Sequence, residues 1–368
     1  MIVLNVRTFT KYENQRKDCN MTGVKKVVIT GIPGSGSTDF CIRYCALDGI
    51  KVKSYNMGDM LLEIAQESPQ KTFITAETLL NLHPEFLCAL RDRAFDKTIA
   101  MMRADRRSCN RLLIDMHCQF FWNDVLTNAY DWRYLTQIGA DMFVTIIDKP
   151  STIKDRQMST NQGRSQDHDL RDLSLWQNAE VNIASGWAAN FNRPAYVLPS
   201  RQDPATIESL LQNAFLIYFQ MPMTDASSEA NDMITVFKEK LLAIGQELTG
   251  LPTPLIDPRT IDIETGEGLS KREERVIRIQ TVHRDLNWYI AQASDLVAYY
   301  PPGTMLSKGV SDESTRGFET GKNAFVVYPS GHTSPFMDIS TQVFTSEEEF
   351  FDFFPEYMKH RLETLSRI

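Results

Sequence analysis

No stretch of about eighteen consecutive apolar residues occurs in this chain, which excludes a hydrophobic membrane-spanning helix. The first residues, MIVLNVRTFTKYENQRKDCNM, lack both a long apolar core and a small-residue cleavage site. They do not read as a secretory leader, and the cytoplasm is the expected compartment. Cysteine is sparse and confined to the first third: Cys19, Cys41, Cys45, Cys88, Cys109 and Cys118. No pair has the CxxC spacing of a zinc or redox site, so buried, reduced thiols are expected. Cys41 and Cys45, four apart, would share one face of a helix. Positive charge is in deficit: 39 Lys and Arg stand against 47 Asp and Glu, a formal net charge of -8. A phosphate polymer or an anionic membrane surface demands a basic face, so neither is an expected partner. A small anionic metabolite held by backbone amides remains compatible with an acidic chain. The six histidines, His283 and His332 among them, form no cluster in sequence, and no metal site is expected.

What is present is ordinary globular material, 42% hydrophobic and 23% charged. A length of 368 residues suggests two domains. After a polar extension over residues 1–23, Lys25–Thr30 (KKVVIT) reads as a strand. It runs into the glycine-rich turn GIPGSGST and then a helical stretch. Further strands are expected at 50–56, 111–117, 140–148 and 194–200, alternating with helices such as the one over 84–108. Strands alternating with helices imply a parallel sheet covered on both faces. The first domain is placed at 24–210. The pattern then restarts with a strand over 214–224, a helix over 231–248, and a long amphipathic helix or helix pair over 270–293. Strands at 295–301 and 324–329 and a terminal helix with Ser346 as N-cap complete the second domain, 211–368. The fold class is therefore α/β, with two tandem domains whose parallel sheets are covered by helices.

Two places carry chemistry. The first is Gly31-Ile-Pro-Gly34-Ser-Gly36-Ser37-Thr38, with the spacing GxxxxGx[ST] of a phosphate loop. The position that should hold the phosphate-binding lysine is Ser37. Loop amides and the helix N-terminus can still receive phosphate, and Thr38 can still reach a Mg²⁺. The cation that neutralises a transferring phosphoryl group is missing.

The second place lies in three pieces: Asp285-Leu-Asn-Trp288, Ser294-Asp295-Leu-Val-Ala-Tyr-Tyr-Pro301, and Ser307-Lys-Gly309-Val-Ser311-Asp-Glu313. The last fits SxGVxxE, with Gly317 and Gly321 four and eight residues on. That spacing puts both glycines on one helix face, where close packing to the sheet needs no side chain. A loop then delivers Glu313 at the start of a helix facing a crevice. The hydroxyls of Ser307 and Ser311 can receive a phosphate or a sugar hydroxyl, at the carboxyl end of a strand ending near Tyr300. Asp285 alone could be an exposed helix residue. Asp295 could serve structure or function. Trp288, Tyr299 and Tyr300 could be core or base-stacking surfaces, and Glu319 is a rival nucleophile to Glu313.

Two family resemblances follow from these residues. VVITGIPGSGST, VKSYNMGDMLLEIAQE, LLIDMHCQF, GADMFVTIIDKPSTIKDRQMSTNQGRSQD and LWQNAEVNIASGWA, in that order, resemble the archaeal-type adenylate kinase family over nearly all of 24–210. The resemblance implies a nucleotide-binding site at Gly31, Gly34, Gly36, Ser37 and Thr38, with Asp115 and His117 beside the nucleotide. It implies an arginine-bearing lid with Arg156 and Arg164, and Gln166 stands where a second lid arginine is expected. With two cationic positions weakened, this domain reads as a pseudokinase that binds nucleotide, with Mg²⁺, weakly or not at all, or acts as a sensor or scaffold; residual phosphoryl transfer is the alternative. The strand IYFQMPMT and the three pieces of the second place are similar to the nucleoside 2-deoxyribosyltransferase family over 214–330. They resemble most its branch of 2'-deoxynucleoside 5'-phosphate N-hydrolases. That resemblance implies Glu313 as nucleophile at the anomeric carbon, and Asp285 in acid/base work or orienting the sugar. Asp295 joins them as a catalytic candidate, and Ser307, Gly309, Ser311, Tyr218 and Trp288 are substrate-binding candidates. Gln220 and Met221 depart from the family where a glycine usually follows the first strand, and PPGTML is an insertion.

The expected activity is cleavage of the base–sugar bond of a nucleotide or nucleoside, needing no cofactor. A deoxyribosyl transferase is the alternative enzyme, and a non-catalytic nucleotide sensor the alternative of another class. NAD-like dinucleotides carry the same type of bond. A homo-oligomer is expected through 214–368, because FFDFFPEY (Phe350–Tyr357) offers more aromatic surface than one small sheet face easily covers.

Overall fold

The computed structural model describes residues 23–67, 74–212, 215–223, 227–261, 269–329, 337 and 339–365. Cys19, His332 and nearly all of the amino-terminal extension lie outside these residues.

Two five-stranded sheets, each wholly parallel, organise the chain. The first contains β1 (Lys25–Thr30), β2 (Val52–Asn56), β3 (Arg111–Met116), β6 (Met142–Ile147) and β7 (Ala195–Pro199) in the order β2-β3-β1-β6-β7. Its central strands are apolar and buried on both faces, as a helix-covered parallel sheet requires. The covering helices are α1 (Ser37–Cys45), α2 (Met57–Gln66), α3 (Pro84–Asp105), α4 (Trp132–Ile138), α5 (Pro150–Met158), α6 (Asn161–Gln166), α7 (Leu170–Phe191) and α8 (Ala205–Leu211). An antiparallel hairpin, β4 (Gln119–Trp122) with β5 (Val125–Asn128), leaves the carboxyl end of β3.

The second sheet contains β8 (Ile217–Gln220), β9 (Leu255–Ile256), β10 (Asp295–Tyr299), β11 (Asn323–Val327) and β12 (Gln342–Phe344). Its order, β9-β8-β10-β11-β12, reverses direction between β8 and β10. In a doubly wound sheet, the crevice beyond the carboxyl ends at that reversal is where ligands bind. Its helices are α9 (Ser228–Thr249), α10 (Lys271–His283), α11 (Lys308–Glu319) and α12 (Glu347–Leu365). The long helix or helix pair expected over 270–293 is a helix that changes its winding partway. After α10 the backbone makes a π-helical turn, Arg284–Tyr289, before a last α-helical turn at Ile290–Gln292.

The sheets are joined by shared apolar burial. Val27, Ile29, Phe40 and Tyr44 of the first half lie in one buried cluster with Tyr218, Tyr289, Ile290 and Leu296 of the second. Polar ties cross the same seam: the Val197 backbone and the Gln292 amide exchange two hydrogen bonds, and Gln202 Nε2 donates to Leu255 O at 2.9 Å.

Two sequence expectations change here. The aromatic run in α12 packs on its own sheet: Phe350 and Phe354 are fully buried among Phe237, Phe325 and Phe344. The surface argument for an oligomer through FFDFFPEY therefore falls. Gly317 packs on the sheet as its spacing implied, since an added Cβ would collide with Leu296, a fully buried side chain. Gly321 does not: it lies beyond the end of α11 at φ +70, with open space around its Cα, and serves the left-handed turn. Gly317→Ala is expected to overpack this contact and destabilise the fold by about 1–3 kcal/mol. Urea unfolding checks it; an unchanged midpoint would mean that Leu296 yields freely.

Candidate functional sites

The phosphate loop is built as the spacing implied. β1 ends at Thr30, and the loop turns back through a hydrogen bond from Ser35 N to Ile32 O of 2.9 Å. Gly34 and Gly36 have φ of +85 and +92, conformations that L side chains rarely adopt, and α1 starts directly after. Thr38 Oγ1 donates to Asp115 Oδ2 at 2.7 Å, and Asn56 Nδ2 donates to the same oxygen at 2.8 Å. A hydroxyl and a carboxylate so placed form an oxygen donor set that suits Mg²⁺. Among the described residues, no group of three or more His, Cys, Asp or Glu could hold a metal without a phosphate's help. His117 Nδ1 lies 2.5 Å from Gly31 O. Beneath the loop, the fully buried Glu180 of α7 accepts from the amides of Gly31, Cys118 and Gln119. Burial pushes its carboxyl up. Sequence reasoning missed Glu180, since a lone Glu inside an apolar helix carries no local signal.

Ser37 is buried at the start of α1. The lid arginines do not stand over the loop as free cations. Arg156 Nη1 donates to Gly34 O at 2.8 Å and pairs with the buried Asp148 at 2.8 Å. Arg164 folds back on its own lid, donating to Met158 O and Asn161. Gln166 accepts from the Asn123 amide at 2.8 Å, closing the lid against the β4–β5 hairpin. A second cavity, lined by Met57, Leu61, Arg91, Phe95 and His117, opens between α2 and α3. Arg91, not singled out from sequence, has a buried and unpaired Nε there.

In the second half, α11 brings Glu313 to the carboxyl end of β8. Tyr218 Oη donates to Glu313 Oε1 at 3.0 Å, and Gln220 Nε2 donates to Oε2 at 3.2 Å. Gln220 is itself almost fully buried. The residue that looked like a departure from the family's glycine thus holds the carboxylate. The Glu313 carboxyl is raised to about 8, first by burial and then by repulsion from Asp285. Asp285 is buried and ion-paired with Arg284 at 2.8 Å, and burial outweighs that cation to raise its carboxyl as well. Arg284 also donates to Ile261 O. Both charged neighbours lie on the π turn, and both are buried there.

Other expected residues fall elsewhere. Asp295 is fully buried at the amino end of β10, accepting from Tyr357 at 2.6 Å and Asn323 at 2.8 Å, with Arg361 3.6 Å away. These partners tie β10 to β11 and to α12, whose side chains cover the other face from α11. The structure does not bring Asp295 to Glu313; its role is to anchor the carboxyl-terminal helix. Trp288 faces a cavity between the two halves, together with Asp148, Gln177 and Arg284, and lies against His283. Tyr299 is core, stacked on Phe237 at 4.2 Å. Ser307 and Ser311 line a pocket of about 330 Å³ beside α11, with Tyr300, Lys308 and Met337. Gly309 is exposed in the first turn of α11. Glu319 is exposed at the far end of the helix, beside Arg316.

Known proteins resemble the first half of the chain. A family profile described as "AAA domain" matches residues 30–173. An adenylate kinase from Methanothermobacter thermautotrophicus is 27% identical over 165 residues, covering 45% of this chain and 83% of its own. Among solved structures, an unliganded sugar kinase from a Janibacter species is 18% identical, covering 52% of this chain and 91% of its own at a TM-score of 0.29. The Pnkp1/Rnl/Hen1 RNA repair complex is 11% identical, with 90% of each chain covered, also at 0.29. At those scores neither structure adds to the description of the fold. The chain is an α/β protein whose first sheet forms a P-loop, kinase-like domain. Within that class the domain resembles adenylate kinase, and it implies a nucleotide ligand, typically with Mg²⁺. Among the described residues, no helix is long and apolar enough to cross a membrane.

Proposed function

We infer that the second half cleaves the N-glycosidic bond of a nucleotide or nucleoside, with Glu313 as nucleophile, beside a P-loop domain that binds nucleotide without transferring phosphate. The observation that carries this reading is the setting of Glu313. It is a carboxylate at the reversal of strand order, oriented through both oxygens by the neutral donors Tyr218 and Gln220. No cation is hydrogen-bonded to it among the described residues, so its lone pairs are not quenched by an ion pair. Attack by one Glu313 oxygen on C1' forms a glycosyl ester as the C1'–N bond breaks. The base leaves with the bonding electrons and takes up a proton. Water then attacks C1' and releases the sugar, restoring the carboxylate. A second base in place of water would make the same intermediate a transfer reaction. Asp285, raised by burial and held by Arg284, orients the sugar or relays the proton.

At the P-loop, Thr38 and Asp115 would hold Mg²⁺, which would neutralise phosphate charge; Gly34, Gly36 and the start of α1 offer amides to the phosphate.

The pH dependence follows from the raised carboxyl. The nucleophile acts only when ionised, and the protonated form dominates below about pH 8. The rate of base release is therefore expected to rise nearly tenfold per pH unit from 6 to 7 and to level off above about 8. Chromatography of released base across that range, with a panel of nucleosides, nucleotides and NAD, tests both the activity and its pH profile. A flat profile between 6 and 9 would remove Glu313 ionisation as the controlling step.

A further inference from the structure

The cavity at the seam between the two halves belongs to neither site. Asp148 and Gln177 line it from the first half, and Gln280, Arg284 and Trp288 from the second. About 50 Å³ of it is open, room for a few waters or for a side chain to turn, and too little for a metabolite. One charge of each sign faces it. Among the described residues that line it, Asp148 and Arg284 are the only Asp, Glu, Lys or Arg. Asp148 is fixed in place. The Gln177 side-chain amide bonds both its backbone N–H and its carbonyl at 3.0 Å, Lys149 N donates to Oδ1 at 2.8 Å, and Ser200 Oγ donates to Oδ2 at 2.6 Å. Its cation is Arg156 of α5, 2.8 Å away. Across the cavity, Arg284 donates to Asp285 through Nε at 2.8 Å and Nη2 at 3.3 Å, and to Ile261 O through Nη1 at 3.1 Å. Its guanidinium lies over the Tyr289 ring, 5.5 Å from the centroid. The Tyr289 hydroxyl is wholly buried and has no hydrogen-bond partner. Burial pushes that hydroxyl up, and the charges that reach it are Arg284, Asp285 and Asp148. The two ion pairs, one from each half, therefore share one electrostatic neighbourhood.

We propose that Arg156 of the first half is a positioning residue for the second site: by neutralising Asp148 it leaves Arg284 to hold Asp285 beside Glu313. The reasoning is electrostatic. A buried carboxylate stripped of its partner is an uncompensated charge, and salt screens it poorly. Asp148 cannot swing out to water, because Gln177 holds its backbone on both sides. The one other cation facing its cavity is Arg284, which has open volume to turn into and an unpaired Tyr289 hydroxyl beside it. Any movement of Arg284 toward Asp148 lengthens its bonds to Asp285 and changes the charge that Glu313 meets. The lid arginine, engaged by Asp148 rather than standing free over the phosphate loop, thus acts on the neighbouring half through two charges it does not touch. The effect on rate rests on the glycosidase reading; the place of Arg284 does not.

The experiment compares the full chain as wild type, Arg156→Ala, Arg156→Lys, Asp148→Asn and the double variant Arg156→Ala/Asp148→Asn. Two readouts are taken. One is steady-state base release from the nucleosides of the same panel. The other is the part of the tryptophan emission that Trp288→Phe removes, since that indole lines the cavity with Asp148 and Arg284. The Arg156 side chain is half-exposed, so its truncation opens no core. Arg156→Ala is expected to lower kcat at least about threefold with little change in KM, and to shift the Trp288 emission. Arg156→Lys, which keeps the charge, is expected to restore both. Asp148→Asn alone is expected to match wild type. In the double variant it is expected to return both readouts to wild-type values, because no unpaired carboxylate is left to draw Arg284. A merely structural role for Arg156 would not be relieved by changing a second residue. The proposal is overturned if the Trp288 emission of Arg156→Ala matches wild type, or if Asp148→Asn fails to restore it in the double variant. It is equally overturned if wild type releases base and Arg156→Ala does so at the same kcat. If wild type releases no base, the glycosidase reading fails by itself, and the emission series alone decides whether Arg156 fixes the place of Arg284.

Discussion

Glu313→Gln is expected to abolish base release, by a factor of about 10³ or more, while leaving the melting temperature at or above that of the wild type. The amide is nearly isosteric and can still accept from Tyr218 Oη at its carbonyl oxygen, and the Gln220 amide, which donates to the other carboxylate oxygen, accepts from the new NH2 by turning over, so the packing of α11 on β8 survives. What disappears is the anionic oxygen that bonds to C1'. No second carboxylate is poised to replace it, because Asp285 is locked to Arg284 and Glu319 is exposed at the other end of the helix. Loss of a group that acts only in the chemical step lowers kcat without necessarily raising KM. Above about pH 8, where Glu313 ionises, the substitution also relieves its repulsion with Asp285. The matched control is Glu319→Gln, which should retain full activity. If Glu313→Gln keeps its activity and Glu319→Gln loses it, the nucleophile is Glu319.

Incubation with ATP, AMP and Mg²⁺ is expected to give no measurable phosphoryl transfer. Ser37 stands where a cation should meet the β- and γ-phosphates, and a neutral hydroxyl cannot balance charge that develops there. Removal of a single preorganised donor typically costs about 10²–10³ in rate. Here the lid gives no compensation, because Arg156 is paired with a buried carboxylate and Arg164 with its own helix. A coupled ADP assay checks this, and robust turnover would overturn the pseudokinase reading. Ser37→Lys tests how much of the site is intact. Thr38 and Asp115 are still within 2.7 Å of each other, so restored transfer would mean that the cation alone was lacking.

Much of the fold was legible because its strands are short apolar runs set between helical periods, and both sheets came out parallel as that alternation requires. The hairpin β4–β5 was not legible: its second strand, Val125–Asn128, is fully exposed, so no burial pattern marked it. Strands β9 and β12 have two and three residues, too short for any period. At the site, Tyr218, expected only as a substrate-binding residue, donates to Glu313, and the finer geometry depended on features without a local signature. Arg284 and Asp285 lie buried on a π turn that no sequence period marks. Gln220 looked like an intrusion until the fold put its amide on the Glu313 carboxylate. Asp295 looked catalytic because it opens a strand inside a motif, yet strand alternation aims it at α12. The aromatic-surface argument for an oligomer fell for a related reason. The aromatic run met a deep cluster around Phe237 and Phe325 that no count of residues in one helix could reveal.

The apolar seam between the two sheets has a consequence for what selection can discard. Tyr218, Tyr289 and Leu296 are wholly buried against side chains of the first half, among them Phe40 and Tyr44 of the helix that follows the phosphate loop. Deleting that half would bare the back of the wall that presents Tyr218 to Glu313, at roughly 1.5–3 kcal/mol for each large side chain uncovered. Replacing a loop lysine by serine uncovers nothing. Whatever chemistry the phosphate loop performs, the domain around it also serves as masonry for its neighbour, and a change at position 37 leaves that second task untouched.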